Sequence, residues 1–152
     1  MNLPLSRRLR ECCKFIRPGD RVADIGCDHG YLGLHLLQRG TASFVFAADV
    51  NEGPLQSALR NARKYGLEEK MAFCLSDGVK NVPRDFDVMV CAGMGADTMV
   101  SILEAASWLK MPSTGWCCSA KVRPPCCGSI CRSRAGPSKE KRCCGTDGFC
   151  TR

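Results

Sequence analysis

Apolar residues recur along the first 111 positions in two alternating rhythms. Leu5, Leu9, Cys12, Cys13 and Ile16 fall at helical spacing, with Arg7, Arg8, Arg10 and Lys14 on the other side. The pattern predicts a first helix, capped by Ser6 and ended by Pro18-Gly19-Asp20. Unbroken apolar runs then predict strands over 21–26, 44–49, 71–76 and 86–91. Between and after them helical periods predict helices over about 31–39, 53–65 and 96–108. The strands F-V-F-A-A and D-V-M-V-C-A lack polar alternation, as strands buried on both faces do. Strands alternating with helices over short links predict an α/β chain: a doubly wound, mostly parallel, Rossmann-like sheet with an N-terminal helix.

That rhythm stops at Pro112. From there to Arg152 the only large apolar residues are Trp116, Val122, Ile130 and Phe149. No strand or amphipathic period runs through them, so the expectation is an irregular, disordered tail. Composition changes at the same place. The formal charge of +7 divides into +1 for residues 1–111 and +6 for residues 112–152, and eight of the 13 cysteines lie in the tail. A basic total would suggest a nucleic-acid partner, but the ordered part is near neutral. Cys12, Cys13, Cys27, Cys74 and Cys91 sit in apolar or helical context, where a thiol behaves as a small hydrophobe. With no charged-then-apolar leader and no bilayer-spanning run, the expected setting is reducing and cytoplasmic, without a membrane.

The candidate chemistry lies over the carboxyl ends of the strands, where open parallel sheets hold ligands. Val22 to Gly33 reads as a strand, a glycine-broken loop and a helix start. Its turn carries Asp24 and Asp28 beside Gly26 and Gly30, which would let the backbone approach a ligand closely. Asp49 follows Gly26 by 23 residues, a spacing that suits a carboxylate accepting both hydroxyls of a ribose. Asp77-Gly78 ends the next strand, where a carboxylate could meet an adenine amino group, and Gly93-Met94-Gly95 ends the last.

A dinucleotide is the rival ligand. Its fingerprint needs bare backbone N–H groups facing a pyrophosphate, and here Asp28 stands where the second glycine would be. A carboxylate about 4 Å from a phosphate charge is repelled by roughly 4 kcal/mol at an effective dielectric of 20. S-adenosyl-L-methionine carries a sulfonium and an ammonium and no phosphate, so the sign inverts. Charge favours the methyl donor.

The runs L-S-R-R-L-R, A-D-I-G-C-D-H-G-Y-L, A-D-V-N-E-G-P-L-Q-S-A, S-D-G-V and C-A-G-M-G resemble the bacterial tRNA methyltransferases that modify N1 of adenine 22. The resemblance covers about residues 5–111. It implies a class I methyltransferase domain, S-adenosyl-L-methionine as donor, tRNA as acceptor and a helical C-terminal domain that helps hold the tRNA. No obligate protein partner is evident from the sequence. Carried onto this chain, Asp24, Gly26, Asp28, His29 and Gly30 would line the methionine end. Asp49 and Val50 would hold the ribose, Asp77 and Gly78 the adenine, and Gly93, Met94 and Gly95 would flank the methyl-transfer position. Asp28 is the candidate for stabilising the cationic purine, His29 a candidate proton acceptor and Tyr31 a candidate stacking platform.

Each of these has a plainer reading. Asp28 would cap the following helix, His29 would orient the loop, Tyr31 would join the core and Asp24 would organise the turn. Arg7, Arg8, Arg10 and Lys14 would contact tRNA phosphates or form a solvated face. Two other functions stand beside the tRNA methyltransferase. One is a class I methyltransferase on another substrate. The other is a non-catalytic RNA- or metal-binding protein using its Cys-rich tail.

The tail makes a poor zinc site, because its Cys-Cys doublets and lack of histidine do not match paired C-x-x-C knuckles. No metal is expected. The genetic code explains it better. Cysteine codons are TG followed by a pyrimidine, so joining the third base of one codon to the first two of the next turns Cys-Cys or Phe-Cys into Leu. Trp-Cys becomes Val, and Cys-Gly becomes Arg or Trp. Trp116-Cys117-Cys118 then gives V-L, and the stretch from Cys126 can read L-R-Q-Y-L-S-E-Q-G-W, an ordinary amphipathic helix and turn. The expected organisation is therefore an incomplete donor-binding domain over 1–111, C-terminally truncated, and a frameshifted segment over 112–152. Without the last strands and helical domain the sheet would keep an open edge and the chain could be inactive.

Overall fold

A computed structural model describes Leu3, residues 5–106 and Trp108, and the backbone of 115–119, 130–133 and 142–144. The expected first helix forms as α1 (Arg7–Cys13), and Ser6 caps it by accepting from the Leu9 N–H at 3.3 Å. Strands and helices then alternate as β1 (Asp20–Ile25), α2 (Tyr31–Gln38), β2 (Ala42–Asp49), α3 (Glu52–Lys64), β3 (Met71–Leu75), β4 (Val88–Ala92) and α4 (Ala96–Ala105). Each lies within a few residues of its expected bounds. Gly53-Pro54 falls in the first turn of α3, where proline's missing N–H has no partner to lose.

The sheet order is β3-β2-β1-β4, all parallel. The chain therefore steps from β1 outward to β2 and β3, then crosses to the other side of β1 to lay down β4. This reversal leaves a crevice above the carboxyl ends of β1 and β4. The apolar side chains divide between two faces because successive strand residues point opposite ways. Val22, Val45, Ala47, Val88 and Val90 pack with α1, α2 and α3. Ala23, Ile25, Phe46, Met89 and Cys91 pack with α4 and the 79–86 segment. The sheet is thus covered on both sides, as the unbroken apolar strands required.

The tail departs from expectation. Backbone strands β5 (Gly115–Ser119), β6 (Ile130–Ser133) and β7 (Arg142–Cys144) extend the sheet, β5 parallel to β4 and the others antiparallel. The irregular reading of the tail is corrected to that extent. Its physical reason is the open edge of β4, whose unpaired N–H and C=O groups accept any extended segment whatever its hydrophobic pattern.

Helix α2 lies so close to the sheet that Gly33 has no room for a side chain. A Cβ there would meet Val45 Cγ1 at 2.8 Å and Met71 Cε at 3.2 Å. Gly53, on α3, has nothing within 4 Å. Gly33→Ala is therefore expected to lower stability by about 1–3 kcal/mol, against the usual helix preference for alanine. Gly53→Ala should raise it by about 0.4–1 kcal/mol. Urea denaturation of the two variants checks the pair, and a stabilised Gly33→Ala would refute the close approach.

Candidate functional site

The loop after β1 owes its shape to three residues in the left-handed region, Gly30 among them. Gly26 has φ 75° and Asp28, alone among the described non-glycine residues, has φ 50°. Gly26 and Cys27 both donate their N–H to the Ala48 carbonyl, at 2.8 and 3.0 Å, which ties the loop to the end of β2. A Cβ at Gly26 would stand 2.9 Å from Met94 Cε, so the loop after β4 closes against this glycine. The Asn61 side-chain amide donates to the His29 carbonyl at 3.0 Å and fixes the loop from α3. The chain turns into α2 at Gly30, which is the helix cap with φ 71° and no side-chain bond. Asp28 does not cap α2. Its carboxylate faces solvent and sits 3.5 Å from His29 Nε2.

Asp49, the last residue of β2, is buried and holds two loops. Its Oδ2 accepts from the Asp28 N–H at 3.3 Å and its Oδ1 from the Asn51 N–H at 2.9 Å. Each oxygen keeps a further lone pair. Asp24, one residue before the end of β1, is 3 % exposed, and no hydrogen bond to its carboxylate is found among the described residues. Burial, and then the charge of Asp49, push its pKa from 3.8 up to about 7. Cys27 is also raised, by burial first and then by Asp24, so it stays a neutral thiol.

A cleft of about 450 Å³ opens above these groups. Asp24, Gly26, Asp28, His29, Tyr31, Asp49 and Gly93 line it. The rings of His29 and Tyr31 stand 5.8 Å apart and tilted by 51° at its edge. Other residues singled out from the sequence lie elsewhere. Gly30 packs against Ala58, Met94 stands behind Gly26, and Gly78 faces Ile102. Asp77 is paired with Lys80 at 2.6 Å and borders a separate hollow of about 340 Å³ with Ile102 and Trp108. Gly95 caps α4. Val50 is 64 % exposed just beyond β2, and Leu75, at the end of β3, is 53 % exposed. Sequence reasoning missed Ser6, Arg8, Leu9, Asn51 and Pro54, all of which line the cleft. Among the described residues no three His, Cys, Asp or Glu side chains are grouped to hold a metal ion, and no helix is long and apolar enough to cross a membrane.

The Asp24 geometry has a consequence for stability. Its folded pKa lies above its unfolded one, so folding takes up a proton between about pH 4 and 7. Stability from this group is full below pH 4, falls as pH rises toward 7 and is flat above. Asp24→Asn is therefore expected to be more stable than the parent at pH 8, and by on the order of 2–4 kcal/mol more than at pH 4. Thermal or urea unfolding at both pH values checks this. A difference independent of pH would refute the buried, unpartnered carboxylate.

The chain is similar to known proteins in sequence and in fold. The tRNA (adenine(22)-N(1))-methyltransferase of Bacillus subtilis is 36 % identical over 104 residues, 68 % of this chain and 44 % of that enzyme. The crystal structure of the B. subtilis M1A22 tRNA methyltransferase TrmK superposes with a TM-score of 0.74 at 31 % identity, over 78 % of this chain and 51 % of the other. M. capricolum TrmK in complex with its cofactor product S-adenosyl-homocysteine superposes with a TM-score of 0.70 at 30 % identity, over 78 % and 53 %. The chain thus spans about half the length of the relatives it matches. A family model described as a methyltransferase domain matches residues 5–115, the whole stretch that builds the sheet through β4 and the cleft above it, and the chain belongs to that family.

Proposed function

We propose that this chain is the donor-binding part of an enzyme that moves the methyl group of S-adenosyl-L-methionine to N1 of an adenine in tRNA, adenine 22 by analogy with its relatives. The observation that carries the reading is Asp24, a buried carboxylate that lines the cleft without a donor among the described residues. A buried carboxylate without a partner is costly, and a ligand ammonium would supply both the charge and the hydrogen bonds it lacks. The residues fit the donor in other respects. Asp49 has lone pairs free for the ribose hydroxyls, with Val50 beside it. Val50 and Leu75 are exposed apolar surfaces at neighbouring strand ends, suited to the faces of an adenine. Asp77, with Gly78, follows Leu75 by two residues, and Gly93, ahead of Met94 and Gly95, lines the cleft.

When bound, the donor supplies a methyl group made electrophilic by its sulfonium. The acceptor N1 carries a lone pair and no proton, so the new C–N bond forms as the C–S bond breaks, and no base is needed. Positioning is the larger part of catalysis. The purine becomes cationic in the same step, and Asp28 is the carboxylate placed to stabilise it. At about 4 Å such a pair contributes between about 1 kcal/mol in water and about 4 kcal/mol at an effective dielectric of 20. His29 serves by holding the Asp28 carboxylate, and Tyr31 offers a ring on which the flipped base stacks. tRNA as partner accords with the reducing, cytoplasmic setting that the buried thiols suit.

We propose as well that residues from about 112 onward are a frameshifted translation, so that 1–111 and 112–152 are separate in origin. The Cys-Cys doublets support this, as does the end of the family match at residue 115. The alternative frame reads V-L where β5 joins the sheet.

Three outcomes are expected. Sequencing the gene across codons 105–152 should find a missing or extra base near codon 111; a clean read would make the tail genuine and turn attention to its zinc affinity. Labelled methyl groups should enter a tRNA carrying adenine 22 and not one with guanine there, when the protein is read through in the restored frame. Asp28→Asn in that protein should lower kcat by about 10-fold or more with little change in donor KM. Label appearing in protein or small molecules instead of tRNA would overturn the acceptor assignment.

A further inference from the structure

The loop after β1 is held in two halves by different elements. Gly26 and Cys27 hang from the Ala48 carbonyl of β2, by bonds of 2.8 and 3.0 Å. Residues 28–30 are held another way. The Asp28 N–H reaches the Asp49 carboxylate at 3.3 Å, and the Gly30 N–H closes a turn on the Cys27 carbonyl at 2.8 Å. Helix α3 grips this second half from the side. Ala58 packs so close beneath Gly30 that a Cβ there would stand 3.0 Å from the Ala58 Cβ. Asn61, three residues on and on the same face of α3, donates its side-chain amide to the His29 carbonyl at 3.0 Å. The bond joins positions 32 apart in the chain.

The His29 carbonyl comes one residue too early to join α2, whose ladder opens with the Leu34 N–H on the Gly30 carbonyl at 3.0 Å. Asn61 therefore sets a peptide that the helix does not. The tilt of that peptide fixes how the chain leaves Asp28 and enters Tyr31. On it depend the 3.5 Å approach of Asp28 to His29 and the pairing of the His29 and Tyr31 rings at 5.8 Å. Asp28 needs such support, because φ 50° is unfavourable for a residue with a Cβ. We propose that Asn61 is a positioning residue for methyl transfer: by holding the His29 carbonyl it sets Asp28, His29 and Tyr31 toward the acceptor base and leaves the donor seat unaffected. This rests on the function proposed above. Asn61 does not itself line the cleft, so it acts through the loop alone. The donor seat at Asp24, Gly26 and Asp49 is built on β1 and β2, whereas the acceptor side is tied to α3.

Proton magnetic resonance on the full chain tests this cleanly, because its histidines are His29 and His35 and its tyrosines Tyr31 and Tyr65. The parent should show a ring-to-ring Overhauser effect between His29 and Tyr31. Asn61→Leu keeps the bulk and removes the amide. It should lose that effect and shift the His29 ring signals, while those of His35 stay in place. Asn61→Gln, which keeps the amide, should recover part of the effect. The melting temperature of Asn61→Leu should fall by no more than about 5 °C, as for one exposed hydrogen bond. Calorimetry should find its Kd for S-adenosyl-L-methionine changed less than about threefold. An Overhauser effect that survives in Asn61→Leu would overturn the proposal. A much larger fall in melting temperature, or donor binding weakened about tenfold or more, would overturn it too, since the bond would then support the whole fold or the whole loop. A parent that shows the effect but binds no donor would instead remove the function proposed above, and the methyl-transfer role with it.

Discussion

The fold is organised around a carboxylate buried where it costs stability. Asp24 sits inside the sheet one residue before the β1 loop, near Asp49, and no donor among the described residues reaches it. Apolar strands on either side exclude the water that would otherwise solvate it. Such a charge survives only if something else gains by it. Its neighbours are arranged accordingly. Asp49 spends hydrogen bonds on the two loops that wall the cleft, Gly26 turns away at a φ open to glycine, and Met94 fills the space behind. Each feature keeps the opening above Asp24 in shape. The site is pre-formed for a ligand that brings positive charge.

Topology explains why the opening exists at all. Strands β2 and β3 lie on one side of β1 and β4 on the other, so the helices that follow β1 and β4 depart on opposite faces. Nothing in the winding itself fills the gap. Helix α1 partly closes it from outside, and this is how a helix at the start of the chain comes to share a site with loops far along it. The close contact of Gly33 with Val45 has the same effect from α2, since it draws the loop's downstream end tight against the sheet.

Much of this was legible beforehand because it depends on local rules. Unbroken apolar runs gave the strands to within a few residues, and glycines marked breaks that require positive φ. The carboxylates at strand ends marked the ligand face, since parallel sheets present only one. What escaped needed three dimensions. Arg8 looked like its neighbours Arg7 and Arg10 because charge pattern alone does not say where a core ends; its register with Cys12 was the available clue. Asp28 suggested a cap, but the loop turns at Asp28 itself, and the cap of the helix is Gly30, two residues later. Asp77 was placed by its strand, while its side chain is held by Lys80. The strands of the tail follow from an unpaired sheet edge, which no pattern within the tail records.

Proton exchange on donor binding tests the central claim most directly. At pH 6.5 a carboxylate with a pKa of about 7 is mostly protonated, and an arriving ammonium must displace that proton. Calorimetric titration of S-adenosyl-L-methionine in buffers of different ionisation enthalpy measures the number released. The account predicts release of more than half a proton at pH 6.5, disappearing in Asp24→Asn. Binding with no proton release in the parent chain would mean that Asp24 is not the group the cleft was built around.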